Sequence, residues 1–162
     1  MRERVIGIAE MAVSATPGDR LVTYALGSCI GLAVHDPVAR VGGLLHAMLP
    51  HAALDPAKAR DNPCTFLDTG VPALIDACAR AGANPRRLVI KAAGGAFATE
   101  RHEDDQFQIG RRNMLALRAL LARDGTRLAA EDVGGQRIAR TMLLDVATGS
   151  VSVRANGGVL VL

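Results

Sequence analysis

The sequence predicts an α+β fold with a mostly antiparallel or mixed sheet. Two observations carry that prediction. Strand-like runs outnumber helical ones, and several of the runs are joined by short turns rather than by helical crossovers. Only two stretches repeat apolar residues at three- and four-residue steps, the spacing that builds one face of a helix.

Residues 5–15 are apolar with polar interruptions and predict a first strand, closed by the turn Thr16-Pro17-Gly18-Asp19. Residues 21–26 predict a second strand ending at Gly27, and residues 30–34 a third. Asp36-Pro37 opens a turn, and residues 41–49 predict a fourth strand closed by Pro50. Residues 51–63 carry two prolines and mixed charge and predict a loop. From Phe66 to Ala81 the positions Leu67, Val71, Leu74, Ile75 and Cys78 mark an amphipathic helix ended near Gly82, with Gly70 and Pro72 weakening its first turn. A short strand follows over residues 88–92, broken by Gly94-Gly95. Residues 99–108 are polar and charged and predict an exposed loop. Residues 113–123 predict a second helix, with Met114, Leu117, Leu120 and Leu121 inward and Gly125 as its stop. Residues 127–133 predict a strand ending at Gly134-Gly135, and residues 140–146 and 150–154 a hairpin around Thr148-Gly149. Both Gly-Gly pairs read as turns needing positive φ.

Composition narrows the function classes. A chain of 162 residues, 49% hydrophobic and 22% charged, fits one domain over residues 1–162. Its net charge of +3 is mild, with 17 Arg against 2 Lys. Aromatics are Tyr24, Phe66, Phe97 and Phe107 alone. That argues against a surface that stacks nucleic-acid bases. No run approaches the roughly 18–20 apolar residues that cross a bilayer, so membrane insertion is not expected. The cysteines, at positions 29, 64 and 78, are odd in number and fit neither a disulfide framework nor a paired zinc motif. With no export signal in view, free thiols point to the cytoplasm. No cofactor or metal is expected.

One constellation carries chemistry. If Asp36-Pro37-Val38-Ala39 is the loop of the hairpin, His35 pairs with Arg40 and Cys29 falls opposite His46. Opposed residues in an antiparallel pair share a face with Cβ atoms about 4.5–5.5 Å apart. An imidazole beside a thiol favours the nucleophilic thiolate and protonates an amine leaving group. Thr23 lies six residues before Cys29, an even spacing, which puts it on the same face of a regular strand. The turn at Gly27 and Ser28 supplies backbone amides suited to an oxyanion site. Each residue also has an ordinary reading: Cys29 as a small buried apolar group, His46 as a hydrogen-bonded core histidine, Thr23 as a strand residue. A metal site from Cys29, His46 and His51 is a further option, although its spacing matches no zinc pattern. Cys64 and Cys78 read as structural, and His35 and His102 as solvated.

Residues 23–29 (TYALGSC), Asp36-Pro37 and residues 42–50 (GGLLHAMLP) resemble the CheD family of chemoreceptor glutamine deamidases. Asp68 with its helix, residues 91–96 (KAAGGA), 109–113 (IGRRN) and 130–135 (AEDVGG) fall in the family's order. The resemblance implies a β-sandwich of mixed sheets flanked by helices, related to bacterial toxin deamidases. It implies an amidohydrolase that converts glutamines of methyl-accepting chemotaxis receptors to glutamate and releases ammonia. By the same resemblance Cys29 matches the nucleophile, His46 the general base and acid, and Thr23 the residue orienting the histidine. It also implies a possible CheC phosphatase as partner. An alternative of another class is a regulatory binding module that tunes a CheC-type phosphatase. A thiol protease shares the chemistry but not the resemblance. Ala92-Ala93 and Gly70 depart from the family's usual bulkier or more helix-favouring residues.

Overall fold

The computed structural model describes residues 1–98 and 106–162. Two mixed five-stranded sheets lie face to face, and helices cover the outer face of one of them. The first sheet is built from β1 (Arg2–Val5), β3 (Asp19–Leu26), β8 (Arg140–Asp145), β9 (Val151–Ala155) and β10 (Gly158–Val161), in that spatial order. The second runs β2 (Glu10–Ser14), β5 (Val41–Ala47), β4 (Ile30–Asp36), β6 (Val89–Gly94) and β7 (Ala130–Val133). The pairs β1·β3 and β6·β7 are parallel and the rest antiparallel, so both sheets are mixed. The α+β class that the strand and helix pattern predicts, and the sandwich of mixed sheets that the resemblance implies, are the observed architecture.

Side-chain alternation divides the core into two layers. Leu21, Leu26, Ala33, Leu44, Met142 and Leu144 fill the space between the sheets. Ile30, Leu32, Val34, Leu45 and Ile90 point the other way, onto α2 (Leu67–Arg80) and α3 (Ile109–Arg123). Strands β4 and β5 are therefore buried on both faces, which explains their near-continuous apolar runs. Each fully buried Leu or Ile contributes about 1.5–3 kcal/mol relative to exposure.

Several expectations are corrected. The strand expected over residues 5–15 is shorter: β1 ends at Val5, and only Glu10–Ser14 form β2, in the other sheet. Gly7 to Ala9 carry the chain across, with Ala9 at φ 58° and its amide donating to the His46 carbonyl at 2.9 Å. The loop expected over residues 51–63 contains the helix α1 (Pro56–Asp61), capped by Asp55 accepting from the Lys58 amide. That Asp-Pro start is a helix signal that the prolines obscured. Gly70 does not weaken its helix without return. A Cβ there would stand 3.2–3.3 Å from Leu45, Cys64 and Pro63, so the glycine lets the helix start pack closely. Strand β10 was not expected, although Asn156-Gly157, at φ 50° and 75°, forms the turn that favours two-residue hairpins. His35 is buried, with Nε2 2.9 Å from the Val146 carbonyl. The exposed-loop expectation at residues 99–105, with His102, lies outside the described residues.

The register of the β4–β5 hairpin also differs from expectation. Ile30 pairs with Ala47 and Asp36 with Val41, so the loop is Pro37 to Arg40. Gly31, and not Cys29, stands opposite His46. The shift is two residues. An even shift keeps every side chain on its expected face, so Cys29 occupies the diagonal position to His46.

Candidate active site

His46 projects from β5 into the space between the sheets, where it is fully buried. Thr23 projects from β3 of the opposite sheet and is equally buried. Thr23 Oγ1 lies 2.7 Å from His46 Nδ1 and 2.7 Å from the carbonyl oxygen of Ile6. The carbonyl accepts only, so the single hydroxyl proton goes to Ile6. Thr23 Oγ1 then accepts from Nδ1–H. This fixes the tautomer with Nε2 unprotonated. Nε2 is buried and has no hydrogen-bond partner among the described residues. Burial lowers the His46 pKa, which favours the neutral ring with its lone pair at Nε2.

Cys29 continues the β4 line one residue before the strand begins. Its carbonyl accepts from the Gly95 amide at 3.0 Å, and the Gly27 carbonyl accepts from Ala96 at 2.9 Å. Gly94 makes that approach possible. It sits at φ 112°, and a Cβ there would run into the Cys29 carbonyl oxygen. The Gly-Gly break expected to be a simple positive-φ turn is thus also the seat of the cysteine turn. Cys29 is half-buried, and its thiol is pushed up by burial. Cys29 packs at the edge of the cluster between the sheets, the layer into which His46 also faces.

The amides around Cys29 divide into engaged and open ones. Gly27 N–H donates to the Ala25 carbonyl at 3.0 Å. The amides of Ser28 and Cys29 donate to no backbone carbonyl among the described residues. Asn113, from α3, donates through Nδ2 to the Ser28 carbonyl and to the Met48 carbonyl, each at 2.9 Å. Sequence reasoning placed Asn113 at a helix start and missed this contact. Its signal is a polar residue on the inner face shared by Met114, Leu117 and Leu121. The Ile6 carbonyl carries no side-chain signal.

Other expected residues lie elsewhere. Cys78 on α2 and Cys64 just before that helix are buried in the core beneath the helices, and burial pushes the Cys78 thiol up to about 12. His51 is exposed and stands 3.8 Å from Asp68, so Cys29, His46 and His51 form no joint ligand set. No group of three metal-ligating side chains is gathered among the described residues. No described helix is long and apolar enough to cross a membrane.

Comparison with known proteins identifies the family. The family model described as "CheD chemotactic sensory transduction" matches residues 48–155. The chain belongs to the CheD family. A protein of Solibacter usitatus, named "Probable chemoreceptor glutamine deamidase CheD", is 46% identical over 157 residues, covering 97% of this chain and 91% of its own. A Syntrophus aciditrophicus protein, "Probable chemoreceptor glutamine deamidase CheD 1", is 41% identical over 99% of this chain and 98% of its own. A Thermococcus kodakarensis relative with the first of these names is 41% identical over 96% of this chain and 95% of its own. The CheD model match begins after Thr23, Cys29 and His46, whereas similarity to these relatives runs over nearly the whole chain.

Proposed function

We propose that this chain hydrolyses glutamine side-chain amides of chemotaxis receptors to glutamate, with Cys29 as nucleophile and His46 as general base and acid. The observation that carries the reading is the Thr23–His46 contact of 2.7 Å, which leaves Nε2 as the free basic atom on the face shared with Cys29.

The reaction runs through two tetrahedral states. His46 Nε2 takes the thiol proton as Cys29 Sγ attacks the amide carbon of the glutamine side chain. The amide oxygen becomes an oxyanion, and the Ser28 and Cys29 amides are the donors placed to receive it. Such a donor is worth roughly 3–4 kcal/mol in comparable sites. His46 then protonates the departing nitrogen, ammonia leaves, and a thioester joins Cys29 to the substrate. Water enters, gives a proton to His46 and attacks the thioester carbon. Collapse releases glutamate and returns the proton to Cys29. Thr23 holds the ring through both halves and positions His46 without touching substrate.

A receptor reading favours a cytoplasmic site of action, on the receptors' helical region. A CheC-type phosphatase as a second partner rests on family resemblance alone.

The test is incubation with a receptor fragment followed by mass spectrometry. A gain of about one dalton at glutamine is expected from acyl-enzyme hydrolysis, with Cys29→Ala and Cys29→Ser inactive. Undiminished conversion by Cys29→Ala would overturn the assignment, and chain cleavage would mean a thiol protease.

A further inference from the structure

Three consecutive carbonyls on the turn carrying Cys29 each accept a hydrogen bond from outside the turn. Gly27 O accepts from the Ala96 amide at 2.9 Å, Ser28 O from Asn113 Nδ2 at 2.9 Å, and Cys29 O from the Gly95 amide at 3.0 Å. The outer two donors are backbone groups and the middle one is a side chain. Asn113 is fully buried, and its second Nδ2 hydrogen goes to the Met48 carbonyl, two residues past His46. Both partners are carbonyl oxygens, so the amide nitrogen and not the oxygen must face them.

A trans peptide is planar, and its C=O and N–H point in opposite directions. Pinning the Ser28 carbonyl toward α3 therefore turns the Cys29 N–H away from α3, toward the face of the sheet that Cys29 and His46 share. The helix is fixed at the matching depth by Gly110, where any Cβ would run into the carbonyls of Gly95 and Ala96. The segment that grips the cysteine turn thus also seats the helix that brings Asn113.

We infer that Asn113 is a positioning residue for the hydrolysis. It fixes the Ser28–Cys29 peptide so that the Cys29 amide faces the developing oxyanion, and it ties that turn to the strand end carrying His46. The inference rests on the reading of Cys29 as nucleophile. Removing Asn113 frees the peptide to rotate, and the oxyanion loses a donor while the thiol stays in place.

Two reactions separate this role from a merely structural one. Deamidation needs the oxyanion donor. Alkylation of Cys29 by iodoacetamide forms an S–C bond and breaks C–I with no oxyanion. Both are measured on Asn113→Ala and on the milder Asn113→Ser, in a Cys64→Ala, Cys78→Ala background so that alkylation reads Cys29. The expected result is a kcat for receptor-fragment deamidation lower by about 100-fold, with KM and the alkylation rate within threefold of the parent. A kcat within threefold of the parent overturns the inference. So does an equal loss of alkylation and deamidation, which would mean general loosening. If neither variant melts cooperatively, Asn113 is a core hydrogen bond and the inference falls. Cys29→Ala run alongside separates the cases: if it still deamidates, the underlying assignment has failed and not only the role of Asn113.

Discussion

Thr23 on β3 and His46 on β5 meet across the two sheets, Oγ1 to Nδ1, at 2.7 Å, and the Ile6 carbonyl takes the hydroxyl proton. One hydroxyl therefore sets the tautomer of a buried imidazole. The strand crossover that supplies Ile6 also anchors His46, through the Ala9 amide on the His46 carbonyl.

Thr23→Val keeps the shape of the side chain but removes the acceptor for Nδ1–H. The ring then loses its tautomer preference and its orientation. General base catalysis contributes typically 10²–10⁴-fold, and loss of its orientation should lower kcat by about 10- to 100-fold with little change in KM. Thr23→Ser retains the oxygen and should restore most of the rate. Steady-state deamidation by the three proteins checks this, and equal rates for Val and Thr would refute it.

Burial raises the Cys29 pKa and lowers that of His46, so both groups rest neutral at pH 7. The proton moves during attack rather than before it. Iodoacetamide alkylation of Cys29 should keep climbing past the ordinary thiol value of 9.0. A preformed thiolate–imidazolium pair would instead level off at about neutral pH. Under the proposed mechanism deamidation needs neutral His46, and its acid limb should lie below the ordinary value of 6.5. The unfolded chain binds a proton at His46 that the native state resists, so this contribution is lost as pH falls through 6.5 toward the lower native value.

Gly94→Ala tests the seat of the cysteine turn. The new Cβ would collide with the Cys29 carbonyl oxygen, at a φ of 112° that side chains rarely adopt. The variant should be less stable by more than about 1 kcal/mol and should lose both Cys29 alkylation and deamidation. That joint loss is what distinguishes it from the Asn113 variants. Denaturant melts and the alkylation rate check it.

Much of this site was legible because β-structure reports faces more firmly than registers. The hairpin loop was expected at Asp36 to Ala39 and lies at Pro37 to Arg40. The pairing therefore shifted by two, and Cys29 and His46 kept a common face. Asp36 stays in the strand because its carboxylate is already engaged by surrounding donors. What stayed hidden involved backbone partners or distant segments. The Ile6 carbonyl has no residue type, and Asn113 meets Ser28 across 85 positions of chain. The late start of β2 was hidden because the chain crosses between the sheets over residues 6–9, which include the apolar Ile6, Ile8 and Ala9; only the positive φ of Ala9, 58°, marks the turn.

The same hairpin offers a last test, because Asp36 holds the register that places His46. Asp36 is buried. It accepts from the Val38 and Ala39 amides within the turn, from Asn84 N, and from Arg87 through Nε at 3.1 Å and Nη2 at 2.8 Å. The Arg87 guanidinium, aided by those amides and opposed by burial, holds the carboxyl well below the usual carboxylate range. A native pKa below the unfolded value of 3.8 means stabilisation that is full above that pH and lost as pH falls below it. Arg87→Ala should therefore be clearly less stable than the parent at neutral pH. The two stability curves should draw together as Asp36 becomes protonated in acid. Asp36→Asn, which keeps the shape but not the charge, should flatten the acid dependence. Urea melts across pH check this, and a constant gap between parent and Arg87→Ala down to the most acid point would show that the ion pair does not anchor the turn.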